Sequence, residues 1–258
     1  MKDRVVIVTG AARGIGRESA LHLARSGWTV VACDIAEEIP GLRYPLASPE
    51  MLSSLAEHDR IHPLKADVRS PKQLSAVVER ALELGELCAA VACAGVVSGG
   101  KPAWLTDLET HRLTFDINYF GVLNLINVAM PAILAADAEH RRSFVAIASA
   151  AGHLPLETMS DYVASKHAVI GLIRTLALDL KGTGITANTV SPGSTDTPIL
   201  TASAEIFRLS SAEEFATHHI TQQLISASEI ASMVGYLLSD QAASITGTDI
   251  RVDAGMLS

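Results

Sequence analysis

Tyr162 and Lys166 stand four residues apart in Tyr162-Val163-Ala164-Ser165-Lys166. On a helix that spacing puts the phenol and the ammonium on one face. A phenol with a pKa near 10 is a poor base at neutral pH. A lysine cation about 5 Å away, at an effective dielectric near 20, stabilises the phenolate by roughly 3 kcal/mol, or about two pKa units. The phenol then exchanges protons near working pH, where acid–base catalysis is most effective. Alone, the pair reads equally well as a packing tyrosine beside a surface lysine. Ser149 alters the balance: it ends an apolar run thirteen residues upstream, so a hydroxyl from a strand end meets a phenol from the next helix. Such a trio suits proton exchange with an alcohol or carbonyl oxygen, with Tyr162 as general acid/base and Ser149 bonding the same oxygen.

The order of elements needed to hold this trio can be read from the apolar runs. Val5 to Val8, Trp28 to Cys33, Ile61 to Ala66, Ala89 to Cys93, Phe144 to Ala148, Ile185 to Val190 and Asp249 to Val252 predict strands. Helices are expected over Gly16 to Ser26, Pro71 to Leu84, Leu108 to Ala135 (kinked or divided at Pro131), Ser160 to Leu180 and Ala227 to Leu238. Strand and helix alternate, which implies an α/β fold: a single Rossmann-type, doubly wound parallel sheet of about seven strands with helices on both faces. No linker or internal repeat divides the chain, so residues 1–258 are expected to form one dinucleotide-binding catalytic domain.

The first strand-to-helix turn reads Thr9-Gly10-Ala11-Ala12-Arg13-Gly14-Ile15-Gly16. Glycines let a backbone approach a pyrophosphate with no Cβ in the way, and the helix N-terminus then offers N–H groups to it. A glycine trio also serves in ordinary turns. Here it follows the first strand, and Asp34 ends the second, where a carboxylate bonds both ribose hydroxyls and repels a 2′-phosphate. NAD is therefore expected over NADP, although Asp34 also suits a helix N-cap. Arg13 and Ile15 are placed at the cofactor, with the Arg13 side chain facing solvent or the pyrophosphate, and Ile35 follows Asp34. Asp67-Val68 is expected around the adenine, Cys93-Ala94-Gly95 beside the ribose, and Pro192-Gly193 with Thr195 and Thr197 at the nicotinamide carboxamide. Lys166 and Tyr162 would also contact the cofactor, Lys166 through the nicotinamide ribose. These positions recur at successive strand ends, so they outline one extended ligand.

With 28 acidic against 20 basic residues, the chain carries a formal charge of −8, which argues against nucleic acid or an anionic membrane as a main partner. The N-terminal apolar run is too short for a signal peptide and reads as a first strand. Cys33, Cys88 and Cys93 form no C-x-x-C pair and read as buried reduced thiols, which points to the cytoplasm. His218-His219 lacks companions at ligand spacing and reads as solvated helix, so no metal is expected.

Taken together, Thr9 to Gly16, Asp67-Val68, Ala94-Gly95, Ser149, Tyr162 to Lys166 and Pro192-Gly193 resemble the short-chain dehydrogenase/reductase family over essentially the full length. The resemblance implies a nicotinamide-dependent oxidoreductase that moves a hydride between a secondary alcohol or ketone and the nicotinamide. It also implies that Asn118 is a fourth catalytic residue, one that distorts its helix and holds a water linking the lysine to solvent. From the sequence alone Asn118 is a polar position on a helix. A homotetramer is implied as well, built through the helices holding Asn118 and Tyr162 and through the last strand. One departure stands out: Cys93 occupies the place of the family's usual asparagine, which ties neighbouring strands together.

Two long segments break the strand–helix rhythm. Ala36 to Pro49 carries three prolines and a glycine, and Tyr44 to Glu50 within it resembles the insertion of the carveol-dehydrogenase-like, mycofactocin-associated branch. That resemblance implies a loop over the cofactor, tightly held NAD and reoxidation by an external electron carrier. Residues 194–226 are expected to form a substrate lid. His153, Leu154, Pro155, Leu156 and Met159, with Leu200, Ile206, Phe207 and Phe215, either line an apolar substrate pocket or pack on one another. A freely exchanging hydroxysteroid, polyol or 3-oxoacyl dehydrogenase is the alternative enzyme. A dinucleotide-sensing regulatory protein is the alternative outside enzymes, and retention of the whole catalytic set disfavours it.

Overall fold

Seven short runs rich in Val, Ile and Ala form the strands β1 (Arg4–Thr9), β2 (Thr29–Asp34), β3 (Ile61–Lys65), β4 (Glu86–Ala92), β5 (Ser143–Ile147), β6 (Thr186–Pro192) and β7 (Asp249–Val252). The structure is a computed structural model that describes residues 3–137 and 139–257. The strands make one sheet in the order β3-β2-β1-β4-β5-β6-β7, and every pairing is parallel. β1, β4 and β5 are buried almost throughout. Strands covered on both faces need apolar residues at every position, which is why they read as continuous rather than alternating runs.

Among the described residues, eight α-helices surround the sheet: α1 (Gly14–Arg25), α2 (Pro49–Ser53), α3 (Pro71–Leu84), α4 (Leu108–Phe115), α5 (Gly121–Ala135), α6 (Ser160–Asp179), α7 (Pro198–Phe207) and α8 (Ala227–Leu237). Successive side chains of a strand point to opposite faces. Val5 and Ile7 of β1 accordingly join the core under α3, α5 and α6, where Leu74, Leu125, Phe144 and Ile173 lie. Val6 and Val8 join the opposite core with Leu23 of α1 and Ile230 and Leu237 of α8. Phe144 is fully buried, and truncating such a ring costs about 3–5 kcal/mol.

The chain winds outward from β1 to β3, then returns to place β4 on the other side of β1. The crevice beyond the carboxyl ends of β1 and β4 is thus the topological switch point where open α/β sheets bind ligands. The expected break at Pro131 is absent. Pro131 lies inside α5 without dividing it, the lost backbone bond being outweighed by burial of Ile126, Ala129, Met130 and Ile133. The irregularity falls instead at Asp116–Phe120, one turn of π-helix between α4 and α5 that carries Asn118. The run Leu108–Ala135 is long and apolar enough to cross a membrane by length and composition, but half of its most apolar window is buried. It is packed as a core helix, with α5 against β4 and α3.

The two irregular segments are more ordered than their sequences suggest. Residues 36–49 lead into α2, whose N-cap Ser48 accepts a hydrogen bond from the Met51 amide. The segment 194–226 contains α7 and a 3-10 turn, Ala212–His218. Its ends are drawn together by a parallel bridge between Thr195 and Ile225.

Candidate active site

At the end of β1 the backbone turns sharply under the start of α1. Gly10 has φ +63° and lies so close to β4 that a Cβ would stand 2.7 Å from the Ala94 backbone. A Cβ on Gly16 would stand 2.1 Å from the Gly10 carbonyl. No other residue fits either place. Arg13, the N-cap of α1, supplies no side-chain cap, so the first amides of the helix turn toward the cleft without a competing side-chain acceptor. This glycine cradle fits a pyrophosphate.

A cavity of about 540 Å³ runs from this cradle across the strand ends, and Gly14, Ile15, Asp34, Ile35, Asp67, Val68, Ala94 and Gly95 line its first half. Asp34 is held from two sides: Oδ2 accepts from the Ala12 amide (3.1 Å) and Oδ1 from the Ala36 amide (3.0 Å). Arg13 departs from expectation. Its half-buried guanidinium edges the cavity and is committed to the 36–49 segment, which it fastens by donating to the Pro45 carbonyl at 2.7 Å and lying 5.9 Å from the Tyr44 ring centroid. Asp67 departs as well, because its carboxylate pairs with Arg69 at 2.6 Å. The backbone of Asp67 and Val68 still edges the cavity.

Cys93 does not leave the strands untied. The Thr9 hydroxyl accepts from the amides of Cys93 (3.1 Å) and Ala94 (3.2 Å), joining the ends of β1 and β4. The Cys93 thiol is pushed up to about 12 by burial, with Lys166 and Ser19 pulling the other way. It is therefore a neutral packing group. Cys33 and Cys88 are buried, and all three thiols are free.

The far half of the cavity holds the acid–base trio. Ser149 follows β5 and caps a 3-10 turn, its Oγ accepting from the Ala151 amide at 3.1 Å. Tyr162 and Lys166 project from α6, with Nζ 5.7 Å from the phenol ring centroid and donating to the Ile147 carbonyl at 3.0 Å. Burial pushes the Tyr162 phenol up, partly offset by a hydrogen bond with Ser149. Burial brings Lys166 down to about 8, opposed by Cys93. The expected lowering of the phenol by the lysine is thus reversed in the bare protein, because desolvation of a buried phenolate outweighs a cation that is itself poorly solvated.

Asn118 sits where the π-turn presents it to this group. Its Oδ1 accepts from the Val96 amide (2.8 Å), while Nδ2 donates to the Val96 carbonyl and to Ser165 Oγ (3.0 Å each). The asparagine thereby pins the segment following Gly95 to α6, and it flanks Gly95 together with Lys166. Pro192, Gly193, Thr195 and Thr197 complete the wall. Thr197 caps α7 by accepting from the Leu200 amide.

Four features escape sequence reading. His219 is buried rather than solvated. Its Nε2 accepts from the Ser194 amide (3.0 Å) and its Nδ1 donates to the Gln223 carbonyl (2.6 Å), so it braces the loop after β6. His153 turns away from the cavity to pair with Asp249 of β7 at 2.8 Å. Asp161, beside Tyr162, is buried and accepts from Ser98 and from Thr114 (2.6 Å). Tyr44 accepts from the Val97 amide at 2.9 Å. Of the expected pocket residues, Leu156, Met159, Leu200, Phe207 and Phe215 line the cavity, and Ile206 faces a second one. Among the described residues no three His, Cys, Asp or Glu side chains gather as a metal site.

A family model described as enoyl-(acyl carrier protein) reductase matches residues 10–257. The chain belongs to the short-chain dehydrogenase/reductase family. It is carveol-dehydrogenase-like: (−)-trans-carveol dehydrogenase of Rhodococcus erythropolis is 32% identical over 99% of this chain and 98% of its own. Cyclohexanol dehydrogenase of an Acinetobacter strain is also 32% identical, over 99% of this chain and 96% of its own. The crystal structure of carveol dehydrogenase from Mycobacterium avium in complex with NAD superposes with a TM-score of 0.92 at 31% identity, covering 98% of this chain and 97% of that one. The glycine cradle and the acid–base trio of this short-chain dehydrogenase thus belong to a family of oxidoreductases.

Proposed function

We propose that this short-chain dehydrogenase oxidises an apolar secondary alcohol, or reduces the matching ketone, with NAD. The observation that carries the reading is the convergence of Ser149, Tyr162 and buried Lys166 at one end of a cavity whose other end is the glycine cradle and Asp34. When bound, NAD supplies the hydride acceptor. Tyr162 Oη takes the alcohol proton as the C–H bond breaks and returns it in reduction. Ser149 Oγ holds the same oxygen at the end of β5. Lys166 Nζ, close beneath the phenol, stabilises negative charge on Oη and holds the nicotinamide ribose. Asn118 fixes the Val96 backbone and Ser165, and so the distance between the glycine segment and α6.

Asp34 favours NAD over NADP, since a 2′-phosphate would meet a carboxylate held by two amides. Arg13, the nearest compensating cation in the turn, is committed to Pro45. Apolar side chains such as Leu156, Met159, Phe207 and Phe215 along the far half favour a hydrocarbon ring or chain. The two named relatives act on cyclic secondary alcohols. The 194–226 segment serves as the substrate lid of one catalytic domain, with α7 over the trio. The 36–49 segment, fastened by Arg13 and Tyr44, slows cofactor release, so that bound NADH is reoxidised in place by an external electron carrier. Exposed Phe120, Leu134 and Leu178 on α4–α6 supply the faces of a homotetramer.

The test is a screen of secondary alcohols with and without an artificial electron acceptor. Turnover by wild type, its loss in Tyr162→Phe and retained NAD binding by that variant are expected. Full turnover by Tyr162→Phe would refute the mechanism. Dialysed enzyme should release stoichiometric NAD(H) when it is then denatured, and protein free of nucleotide after dialysis would favour the freely exchanging reading.

A further inference from the structure

Beside the cavity that holds the trio lies a second one of about 690 Å³, opening among the 36–49 segment, the residues after β4, α4 and α7. One apolar cluster separates them. Leu156, Met159, Tyr162, Ile199 and Phe207 of that cluster face the first cavity, while Tyr44, Val97, Ala202 and Ile206 face the second. No residue lines both cavities, so the partition has one layer of side chains facing each, drawn from four separate stretches of chain.

Tyr44 is the large ring of the second side. It arrives from the cofactor-side segment yet packs in the same cluster as the catalytic phenol. It is pinned at both ends. Its Oη accepts from the Val97 amide at 2.9 Å, and its ring lies under the Arg13 guanidinium, itself bonded to Pro45. Val97 is in turn continuous with Val96, whose amide and carbonyl Asn118 holds. A ring tied to rigid backbone cannot swing aside for substrate at small cost, because several bonds break together.

We propose that Tyr44 is a specificity-determining residue: its ring backs the wall that limits the size of the alcohol, and the second cavity is the space that wall denies. The first cavity must take a dinucleotide as well as substrate, which leaves room at the trio for one compact ring. With the Tyr44 ring removed, the side chains that face the first cavity, Leu156 and Met159 among them, lose the ring behind them and can give way toward the second, which makes room for a substituent on the far side of the alcohol ring. The proposal rests on the alcohol dehydrogenase reading and assigns within it what discriminates substrates.

The test compares cyclohexanol with 4-cyclohexylcyclohexanol as substrates for wild type, Tyr44→Phe, Tyr44→Leu and Tyr44→Ala, at saturating NAD with an artificial acceptor. The readout is the ratio of the two kcat/KM values within each preparation, which loss of cofactor or of folded protein leaves unchanged. Discrimination by the shape of an apolar pocket runs to ~10-fold or more per filled or emptied group. The ratio should rise by about that factor toward the bulky alcohol in Tyr44→Ala, less in Tyr44→Leu, and least in Tyr44→Phe, which keeps the ring and loses only its tie to the Val97 amide. An unchanged ratio in both Tyr44→Ala and Tyr44→Leu overturns the wall. A Tyr44→Phe ratio equal to that of Tyr44→Ala also overturns it, because the hydroxyl rather than the ring would then discriminate. Failure of wild type to oxidise either alcohol overturns the reaction reading on which the proposal rests, and the wall with it.

Discussion

Replacing Lys166 by methionine should stabilise the cofactor-free protein while abolishing most of its activity. The ammonium is buried, and burial brings its pKa from 10.5 down to about 8. That drop corresponds to roughly 3 kcal/mol. Below pH 8 the group is protonated in both folded and unfolded chains, so the folded state carries the whole penalty. Between pH 8 and 10.5 the unfolded chain binds the extra proton, and stability rises with pH until the penalty is gone. Methionine has similar length and no charge, and it forfeits the bond from Nζ to the Ile147 carbonyl, worth about 1 kcal/mol. The net gain is about 2 kcal/mol at pH 7, shrinks to about zero at pH 10, and turns into a loss approaching about 1 kcal/mol only at still higher pH. Denaturant unfolding of nucleotide-stripped wild type and Lys166→Met at pH 7 and pH 10 measures it, other titrating groups cancelling in the difference. In the active complex the same cation, 5.7 Å from the phenol ring, supports the phenolate by roughly 3 kcal/mol, so kcat should fall about a hundredfold. A variant no more stable than wild type at pH 7, or equally shifted at both pH values, would refute the assignment of a desolvated charge.

Thr9→Val removes the acceptor for the Cys93 and Ala94 amides and should cost about 2–4 kcal/mol in denaturant unfolding; adding Cys93→Asn should restore part of it by supplying another polar tie. Asp34→Ala should raise kcat/KM for NADP relative to NAD by tenfold or more, on the order of a charged hydrogen bond lost plus a repulsion relieved, as read from initial rates with both cofactors. His219→Phe leaves the Ser194 amide without its acceptor and should weaken NAD binding by about 10-fold, measured by nucleotide fluorescence. Gly10→Ala places a methyl 2.7 Å from the Ala94 backbone and should eliminate NAD binding in the same assay.

What could be read from the residues follows the range over which each interaction acts. The strands were legible because burial on both faces imposes continuous apolar runs, visible within a window of six residues. Helix α3 was legible to the residue, since Pro71 starts it and Gly85 ends it. Tyr162 and Lys166 were legible because their relation is one helical turn, and Gly10 to Gly16 because backbone approach selects glycine. The partners of Arg13, His219 and Thr9 lie 32, 25 and 84 residues away. Nothing local in the chain announces them, so Arg13 was left to solvent or the pyrophosphate and His219 to solvent. Asp67 differs, for Arg69 is two residues on and the pair was open to reading. The phenol's charge state also escaped, because the sequence supplies the lysine's attraction but not the depth at which both groups are buried, and depth reverses the sign. Tyr44 combines both limits. Its segment stood out by composition, yet its contact with the catalytic cluster depends on how 36–49 crosses the cleft. On the proposed reading, the strap that covers the cofactor would also back one wall of the chemistry beside it, tying cofactor retention and substrate size to the same few side chains.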